Sequence, residues 1–572
     1  MKPLTIPIVA ADVQRQRRRQ APKGRHADPA ALADVQRGWG PEAPRRDQLI
    51  EALHSINDRL HALPAPHLVA LAQWMKLSMA EVYEVATFYH HFEVLKEDDH
   101  GELPTPAPLT VRVCNGLPCE MAGARDLLQW LPGMLGSKVR VVPAPCVGRC
   151  DTAPVAVVHH NALGHATPAA VLAAVSDGRT QAEAPPYTGL AAYRALGGYT
   201  LWQDCVAGRR NADDIISALE DAGLRGLGGA GFPAGRKWRL VRAQPAPRLM
   251  AVNIDEGEPG TFKDRHYLER DPHRFIEGLL VAAWAVGIDA AYIYLRDEYH
   301  GCRQVLTAEL ALLRAEPGLP PLPMIELRRG AGAYICGEES AMIESIEGKR
   351  GLPRLRPPFV AELGLFGRPT LEHNFETLHW VREIAELGPA AFAAHGRHGR
   401  QGQRSFSVSG RVQQPGVKLA PAGITLRELV DEYCGGMAQG HTLYAYLPGG
   451  ASGGLLPARL ADVPLDFDTL QPHGCFIGSA AVIVLSQHDS AVGAARNMMR
   501  FFADESCGQC TPCRAGTVKA SALLALPGPQ WSRELLADLS QVMRDASICG
   551  LGQAAPNVVD CVFRYFAEEL ET

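Results

Sequence analysis

The chain lacks an apolar run long enough to cross a membrane as a helix. Its most apolar stretch, GLLVAAWAVGIDAAYIYL from Gly278, is interrupted by Gly287 and Asp289. A spanning helix needs about 20 mostly apolar residues, so we interpret this stretch as a core helix that runs into a strand. An export signal is also missing, because VQRQRRRQAPKGR is not followed by the apolar segment of about 7 to 15 residues that such a signal requires. These absences predict a cytoplasmic protein without a membrane partner.

Neither sign of charge is in large excess. The 572 residues include 57 Lys and Arg against 62 Asp and Glu, a formal net charge of -5 at pH 7. This balance excludes the broad basic surface on which non-specific nucleic-acid binding depends. Only the first 25 residues are locally basic, and they predict a flexible docking tail. The length and the 47% hydrophobic content predict several cores and therefore a multidomain globular protein.

Cysteine, by contrast, is well represented, and its spacing is informative. A disulfide framework is not expected for the 14 cysteines in a reducing compartment, so those that cluster predict metal ligation. ESCGQCTPCRAG places Cys507, Cys510 and Cys513 three apart, which directs three thiolates at three corners of a 4Fe-4S cluster. Cys549 is the best fourth ligand, whereas Cys561 lies in a helical apolar pattern and is expected to pack. A structural zinc site, or thiols without a metal, is the alternative.

A second cysteine group comprises CNGLPCE and CVGRCDTAP. Four residues lie between Cys114 and Cys119, three lie between Cys146 and Cys150, and 26 separate the two pairs. Two short loops after strand-like segments would each present two thiolates, as a 2Fe-2S cluster requires, and zinc is again the alternative.

The glycine-rich stretch GLRGLGGAGFPAGRKW predicts a phosphate-binding loop. Its glycines allow close backbone approach, and Lys237 adds a positive charge. The stretch contains GxGxxG at Gly226, Gly228 and Gly231, but a helical pattern precedes it where a Rossmann fold requires a strand. A Rossmann dinucleotide fold is therefore disfavoured, and a glycine-rich turn without a ligand is the alternative.

Two acidic stretches follow the glycine loop. In VNIDEGEPGTFKDR, the polar side chains at the end of a strand-like segment are Asn253, Asp255, Glu256 and Glu258. Polar groups at a strand end suit a ligand. GAYICGEESA sets Gly337, Glu338 and Glu339 at an apparent helix start, where carboxylates are favourable even without a ligand. Only together do the three stretches predict a nucleotide pocket.

From about Asp47 onward, the chain resembles the NADH-oxidising module of respiratory complex I, with two of its subunits fused. LIEALHSINDRL through MAEVYEVATFYHHF resembles the helical start of the smaller, thioredoxin-like subunit, and the second cysteine group matches its 2Fe-2S ligands. GLGGAGFPAGRKW, VNIDEGEPGTFKDR and GAYICGEESA resemble the FMN and NADH stretches of the larger flavoprotein subunit. The first cysteine group matches the 4Fe-4S ligands of that subunit.

The resemblance implies an FMN site beside an NAD(H) site. The implied FMN residues are Gly226, Gly228, Gly229, Gly231, Lys237, Asn253, Asp255, Glu256, Tyr334, Gly337, Glu338 and Asn374. The residues implied to face the nicotinamide nucleotide are Phe232, Glu258, Glu339 and Phe359. Hydride transfer would take place at FMN near Glu258 and Glu339, without a covalent catalyst. The chain departs from the family at Leu227, where the family usually has Arg, and at His373, where it usually has Asn.

Because the thioredoxin-like part and the flavoprotein part are fused in one chain, the chain resembles the diaphorase subunits of NAD-dependent formate dehydrogenases and NAD-reducing hydrogenases. The chain shows no further cysteine set for a nickel site and no pterin-binding motif, so a partner subunit is expected to hold the primary catalytic centre. Overall resemblance favours the beta subunit of a formate dehydrogenase, whose alpha subunit carries molybdopterin with Mo or W and further iron-sulfur clusters. A hydrogenase diaphorase or a complex I-like subunit is the alternative. A ferredoxin-like carrier or an iron-sulfur scaffold would leave the acidic, glycine-rich pocket unexplained.

The predicted fold class is multidomain α/β and α+β. In chain order we expect a basic flexible tail (1–45), a helical bundle (46–105), a thioredoxin-like 2Fe-2S domain (106–180), a linker (181–199), an α/β FMN and NAD domain (200–402), a β-rich, ubiquitin-like domain of the soluble ligand-binding β-grasp type (403–490) and a helical 4Fe-4S domain (491–572).

Overall fold

The computed structural model describes residues 25–571. The chain divides into two compact units, Met1–Pro106 and Ala107–Thr572. The described part of the first unit is mainly helical, as expected for a small bundle. Its elements are α1 (Pro29–Trp39), α2 (Leu49–Leu60), β1 (Leu63–Pro64), α3 (Ala65–Met75), α4 (Met79–Ala86) and β2 (Val94–Leu95).

Helix α1 lies within the segment predicted as a flexible tail and corrects that prediction for residues 29–39. Asp28 accepts a hydrogen bond from the N–H of Ala30, and Pro29 occupies the first turn, where its missing N–H costs nothing. Ala31 and Val35 are buried, so apolar contacts stabilise the helix despite its polar neighbours. The arginine-rich part of the predicted tail, residues 1–24, lies outside the described residues.

The second unit begins with the thioredoxin-like domain, a four-stranded sheet in the order β4-β3-β5-β6. Strands β3 and β4 are parallel, and the other pairs are antiparallel. The elements are β3 (Leu109–Cys114), α5 (Leu117–Met121), α6 (Ala124–Leu135), β4 (Val139–Ala144), β5 (Ala156–Val158), β6 (Asn161–Leu163) and α7 (Pro168–Ser176). Because β3 and β4 are parallel, the loops that follow them leave the same edge of the sheet.

A parallel sheet in the order β10-β7-β8-β9 forms the centre of the next domain. Its strands are β7 (Arg248–Ile254), β8 (Ile288–Leu295), β9 (Met324–Arg329) and β10 (Thr370–Asn374). The helices around it are α8 (Leu190–Ala195), α9 (Thr200–Val206), α10 (Ala212–Asp221), α11 (Ala234–Arg242), α12 (Lys263–Leu268), α13 (Pro272–Val286), α14 (His300–Ala315), α15 (Glu339–Ile346), α16 (Phe375–His379), α17 (Val381–Leu387) and α18 (Pro389–Ala393). Strands β7 and β8 are almost entirely buried, as helices on both faces of a parallel sheet require.

The apolar run from Gly278 lies in this core. It forms the end of α13 and strand β8, and Gly287 ends the helix in the left-handed conformation with φ 73°. The interpretation as a core helix leading into a strand is therefore confirmed. Among residues 25–571, no helix is long and apolar enough to cross a membrane.

A β-rich domain and a group of helices complete the chain. The mixed sheet has the order β12-β11-β15-β13-β14. Its elements are β11 (Gln403–Gly410), β12 (Gly416–Pro421), α19 (Leu426–Glu428), β13 (Leu443–Leu447), β14 (Leu456–Pro457) and β15 (Ala481–Ser486). The closing helices are α20 (Ala491–Asp504), α21 (Thr511–Leu524), α22 (Arg533–Ala546), α23 (Gly550–Ala554) and α24 (Asn557–Tyr565).

Candidate functional site

Four buried cysteines meet at one edge of the thioredoxin-like sheet. Cys114 ends β3, Cys119 lies in α5, and Cys146 and Cys150 follow β4. The Sγ atoms of Cys146 and Cys150 are 3.4 Å apart. Hydrogen bonds with the Cys114 and Cys150 thiols hold the pKa of Cys146 well below its usual value. Four sulfur ligands within one buried site fit a 2Fe-2S cluster.

The second cysteine group surrounds a small cavity between the α20–α21 connection and α23. Its cysteines are Cys507, Cys510, Cys513 and Cys549. Burial raises the pKa of Cys549 to about 12, although the backbone N–H groups of Leu551 and Gly552 act in the opposite direction. Such N–H groups stabilise thiolates that ligate a metal, so this set fits a 4Fe-4S cluster. Cys561 packs in α24 instead, with its Sγ 3.6 Å from that of Cys475.

A cavity of about 400 Å³ lies at the carboxyl ends of the neighbouring parallel strands β7 and β10. The glycine loop and both acidic stretches line it. The predicted residues that do so are Gly226, Gly228, Gly229, Phe232, Lys237, Asn253, Asp255, Glu256, Glu258, Tyr334, Gly337, Glu338, Glu339 and Asn374. The tertiary structure thus brings together two neighbouring stretches and a third, at Tyr334 to Glu339, that is distant in the sequence.

Two residues of the predicted set lie outside the cavity lining. Gly231 has φ 65°, and a Cβ atom there would come within 2.6 Å of the Phe467 ring. Its missing side chain therefore makes room for an aromatic ring, not for a ligand. Phe359 is 53% exposed, whereas Arg356, three positions earlier, lines the cavity.

Other lining residues were not predicted. They are Lys263, Asp264, Arg356, Glu372, Ser452, Phe476, Gly478, Ser479, Gly550, Leu551 and Ala554, among others. Lys263 and Asp264 stand in GTFKDR, where two charges directly after a glycine-rich acidic turn were a usable signal. The residues beyond position 450 come from the β-rich and C-terminal domains, and no local pattern relates them to the glycine loop.

The glycine loop runs between α10 and α11, so a helix precedes it, as the sequence predicts. Its ends are joined by a hydrogen bond from the N–H of Gly226 to the carbonyl of Phe232 (2.8 Å). The N–H of Leu227 donates to the hydroxyl of Thr377 (3.0 Å), and the Leu227 side chain is buried in the core. Leucine in place of the family's arginine at position 227 therefore leaves the loop backbone held by Thr377. Gly229 has φ 121°, a conformation that favours glycine.

Buried charges lie along one wall of the pocket. The ammonium group of Lys263 is 2.7 Å from Asp264 and 3.1 Å from Glu376. The Asn374 amide donates to the second oxygen of Asp264 (2.7 Å), which fixes the Asn374 side chain at the pocket. Burial and the nearby Asp264 charge raise the pKa of Glu256 to about 7, while Lys263 acts in the opposite direction. The wall thus combines fixed polar groups with a buried carboxyl group whose pKa is raised.

Asp255 provides a test of whether the pocket fits a ligand. Its Oδ2 atom is buried and has no hydrogen-bond partner among the described residues. Burial raises the pKa of this carboxyl group well above its usual value. A buried polar atom without a partner is uncommon in a native protein and calls for a functional explanation, and Asp255 belongs to the lining of the 400 Å³ cavity. The site therefore fits FMN better than it fits a glycine-rich turn without a ligand.

The second acidic stretch forms the expected helix start. Glu338 caps α15 by accepting hydrogen bonds from the N–H groups of Ser340 (3.0 Å) and Ala341 (2.9 Å). It also pairs with Arg356. Glu338 therefore stabilises the helix start, as a carboxylate can do without a ligand, but it also lines the cavity.

His373, the other departure from the family, is a buried neighbour of the pocket. The indole N–H of Trp238 donates to its Nε2 atom (2.7 Å). Burial and the positive charge of Lys237 hold the pKa of His373 well below its usual value, so the ring is neutral and accepts this hydrogen bond. That nitrogen is consequently committed to Trp238.

Both cysteine sites adjoin the pocket. Ile335 and Leu551 line the 400 Å³ cavity and also the small cavity of the second cysteine group. On the other side, the guanidinium group of Arg296 donates to the carbonyl of Cys146 (2.6 Å) and to that of Glu256. A single residue thus joins the pocket to the first cysteine group.

Three family models match the chain. Residues 40–179 match the thioredoxin-like [2Fe-2S] ferredoxin family, residues 219–383 match the Nuo51 FMN-binding domain, and residues 493–572 match the NADH-ubiquinone oxidoreductase-F iron-sulfur binding region. The cofactors of the chain are therefore FMN, one 2Fe-2S cluster and one 4Fe-4S cluster, with NADH as the nucleotide substrate.

Similar proteins agree with these matches. The mitochondrial NADH dehydrogenase [ubiquinone] flavoprotein 1 of Dictyostelium discoideum is 41% identical over 379 residues, which cover 63% of this chain and 79% of that protein. The mitochondrial NADH-ubiquinone oxidoreductase 51 kDa subunit of Neurospora crassa is 40% identical over 377 residues, which cover 63% of this chain and 76% of that protein. A solved chain of an NAD+-reducing [NiFe]-hydrogenase has 33% identity and a TM-score of 0.78, with 92% of each chain covered. The chain belongs to the NADH dehydrogenase flavoprotein family, as a flavin and iron-sulfur oxidoreductase in which a thioredoxin-like 2Fe-2S domain is fused to the 51 kDa-type flavoprotein.

Proposed function

We propose that this chain is the diaphorase subunit of a multi-subunit NAD-linked oxidoreductase. It would exchange electron pairs with NAD(H) and single electrons with a partner subunit. The observation that supports this proposal is that both cysteine sites share walls or bridging residues with one nucleotide pocket. Bound FMN supplies the chemistry that joins two-electron transfer to one-electron transfer.

The side chains of the pocket act by binding and orientation. We assign phosphate binding to the backbone N–H groups of Gly228 and Gly229, since those of Gly226 and Leu227 are donated within the protein, and to Lys237. Glu258 accepts hydrogen bonds from the N–H of Ser452 (2.7 Å) and the hydroxyl of Tyr334 (3.2 Å), so its carboxylate is held in one orientation at the pocket wall. Such fixed groups position the reacting rings and exclude water.

The partner is best inferred from the length of the structural match. The solved NAD+-reducing [NiFe]-hydrogenase chain matches 92% of this chain, including the fused thioredoxin-like part, whereas the Dictyostelium discoideum flavoprotein matches 63%. We therefore favour a hydrogenase module as the partner over a separate complex I assembly. A molybdenum or tungsten formate dehydrogenase partner stays a prediction that rests on sequence resemblance alone.

The isolated chain tests the proposed function. With NADH we expect it to reduce ferricyanide or viologen, because the pocket and both cluster sites belong to this chain. We expect no oxidation of formate or hydrogen, since the primary centre lies in a partner. Activity with either substrate by the pure chain would contradict the proposal. The chain should then be reconstituted separately with a nickel-iron module and hydrogen, and with a molybdopterin subunit and formate. We expect NAD reduction in only one of these mixtures, and that mixture identifies the partner.

Glu339 is expected to select NADH over NADPH. Its carboxylate is 3.0 Å from Arg356, and burial and the neighbouring Glu372 raise its pKa, while Arg356 and Lys237 oppose this. A 2′-phosphate adds nearly two negative charges, and at an effective dielectric of about 20 each charge costs roughly 3 to 4 kcal/mol at about 4 to 6 Å, before screening, relaxation and the paired Arg356 reduce that cost. One third of this cost corresponds to about tenfold discrimination. Glu339→Gln should therefore raise kcat/KM for NADPH at least severalfold and change that for NADH less.

The nucleotide ratio is measured by steady-state kinetics at two salt concentrations. High salt should weaken the wild-type preference, because it screens the carboxylate. Glu534→Gln is the matched control, since Glu534 is also an acid in a first helical turn, but in α22, away from the pocket. An unchanged NADH to NADPH ratio in Glu339→Gln would show that Glu339 acts only on the helix start.

A further inference from the structure

An aromatic ring of the β-rich domain holds the glycine loop from outside the pocket. Phe467 is 7% exposed, and two guanidinium groups lie over its ring. The guanidinium carbons of Arg225 and Arg404 are 4.3 and 4.2 Å from the centre of its ring. Arg225 directly precedes Gly226, whereas Arg404 lies in β11. The ring therefore connects the loop to the sheet of another domain.

Both guanidinium groups are fixed by further contacts. Arg225 donates from Nε to the carbonyl of Gly231 (2.6 Å) and pairs with Asp468 (3.1 Å). Arg404 is buried and pairs with Asp466 (2.7 Å). Cation–π contacts are strongest when the cation is desolvated and held in place. The arrangement meets this condition at Arg404 and partly at Arg225.

Close packing at the loop itself completes the arrangement. A Cβ atom on Gly231 would lie 2.6 Å from the Phe467 ring, and one on Gly229 would lie 3.6 Å from the backbone of Gly478. Gly478 also lines the pocket. The path of the loop is thus determined by the surface of the β-rich domain against which it lies.

We propose that Arg225, Phe467 and Arg404 form a clamp that orders the glycine loop before flavin binds, with Phe467 as a positioning residue. The proposal rests on the assignment of FMN to this pocket. A loop that is already ordered loses less conformational entropy when the ligand binds, so the clamp raises flavin affinity without touching the flavin. The β-rich domain then has a function in cofactor retention.

Flavin binding to the full chain tests the clamp. Phe467→Leu keeps an apolar side chain but removes the aromatic face, and we expect the FMN dissociation constant to rise about tenfold, equivalent to about 1.4 kcal/mol. Flavin released on dilution is measured by its fluorescence. In the flavin-stripped chain, the amides of residues 226–231 should exchange with deuterium faster than in the wild type. Phe467→Tyr retains the aromatic ring, so its FMN dissociation constant and its amide exchange rates should equal those of the wild type.

The controls separate the clamp from general destabilisation and from the pocket assignment. Phe392 is a buried phenylalanine, 5% exposed, whose ring contacts Trp380, so Phe392→Leu should change neither value. If Phe467→Leu does not fold, Arg225→Gln removes one guanidinium group at a partly exposed position, and an unchanged dissociation constant there overturns the clamp. Wild-type affinity and exchange in Phe467→Leu overturn it as well. Failure of the wild-type chain to bind FMN would instead refute the pocket assignment on which the clamp rests.

Discussion

The Cys510→Ser variant should lose the four-iron EPR signal completely and keep the two-iron signal. Cys510 lines one cavity with the three other cysteines of its group, whereas the first group lies in the thioredoxin-like domain. A serine oxygen is a poorer ligand than a thiolate for an iron-sulfur cluster. Iron content should fall from about six to about two atoms per FMN. EPR of the NADH- or dithionite-reduced protein and iron analysis measure both effects.

Cys434→Ser is the matched control for this experiment. Cys434 is fully buried in the β-rich domain, and burial raises the pKa of its thiol to about 11. It belongs to neither cysteine group, so its replacement should leave both signals in place. Loss of the two-iron signal in a folded Cys510→Ser protein would show that the two groups have been assigned to the wrong clusters.

Gly229→Val should release FMN while both clusters remain. Gly229 lines the pocket with φ 121°, a conformation that β-branched residues rarely adopt, and such strain costs about 1 to 3 kcal/mol. The new side chain would also enter the space between the loop and Gly478. We therefore expect the FMN content to fall below about one tenth of the wild-type value, since 1.4 kcal/mol is a factor of about ten.

Flavin analysis after gel filtration, together with the two EPR signals, measures this outcome. Gly318→Val is the matched control. Gly318 also has a positive φ, 83°, but a Cβ atom there would meet no other atom within 4 Å. This variant therefore introduces similar backbone strain at a position that does not line the pocket. It should retain FMN. Full flavin content in Gly229→Val would contradict the assignment of FMN to the glycine loop.

The sequence alone predicted the features that depend on short spacing. CxxCxxC brings three thiols to one turn whatever the rest of the fold does, and the paired loops at Cys114 and Cys146 follow strands that the alternating pattern indicates. The glycine loop was also recognisable, because its backbone conformation requires glycine at Gly229. The helical pattern before it disfavoured a Rossmann unit, and α10 occupies that position. The predicted domain order from the bundle to the C-terminal helices depended on the resemblance to the family as well as on the helical and strand-like patterns.

Contacts between distant segments could be decided only by the tertiary structure. Ser452 and Phe476 line the pocket from the β-rich domain, and Leu551 joins the pocket to the second cysteine site. Phe359 lies outside the lining, and Gly231 makes room for the Phe467 ring, although the resemblance implies a ligand-binding role for both. Local spacing determines backbone conformation and the direction of neighbouring side chains. It does not determine which remote surface packs against them, because that choice depends on burial and shape summed over the whole fold.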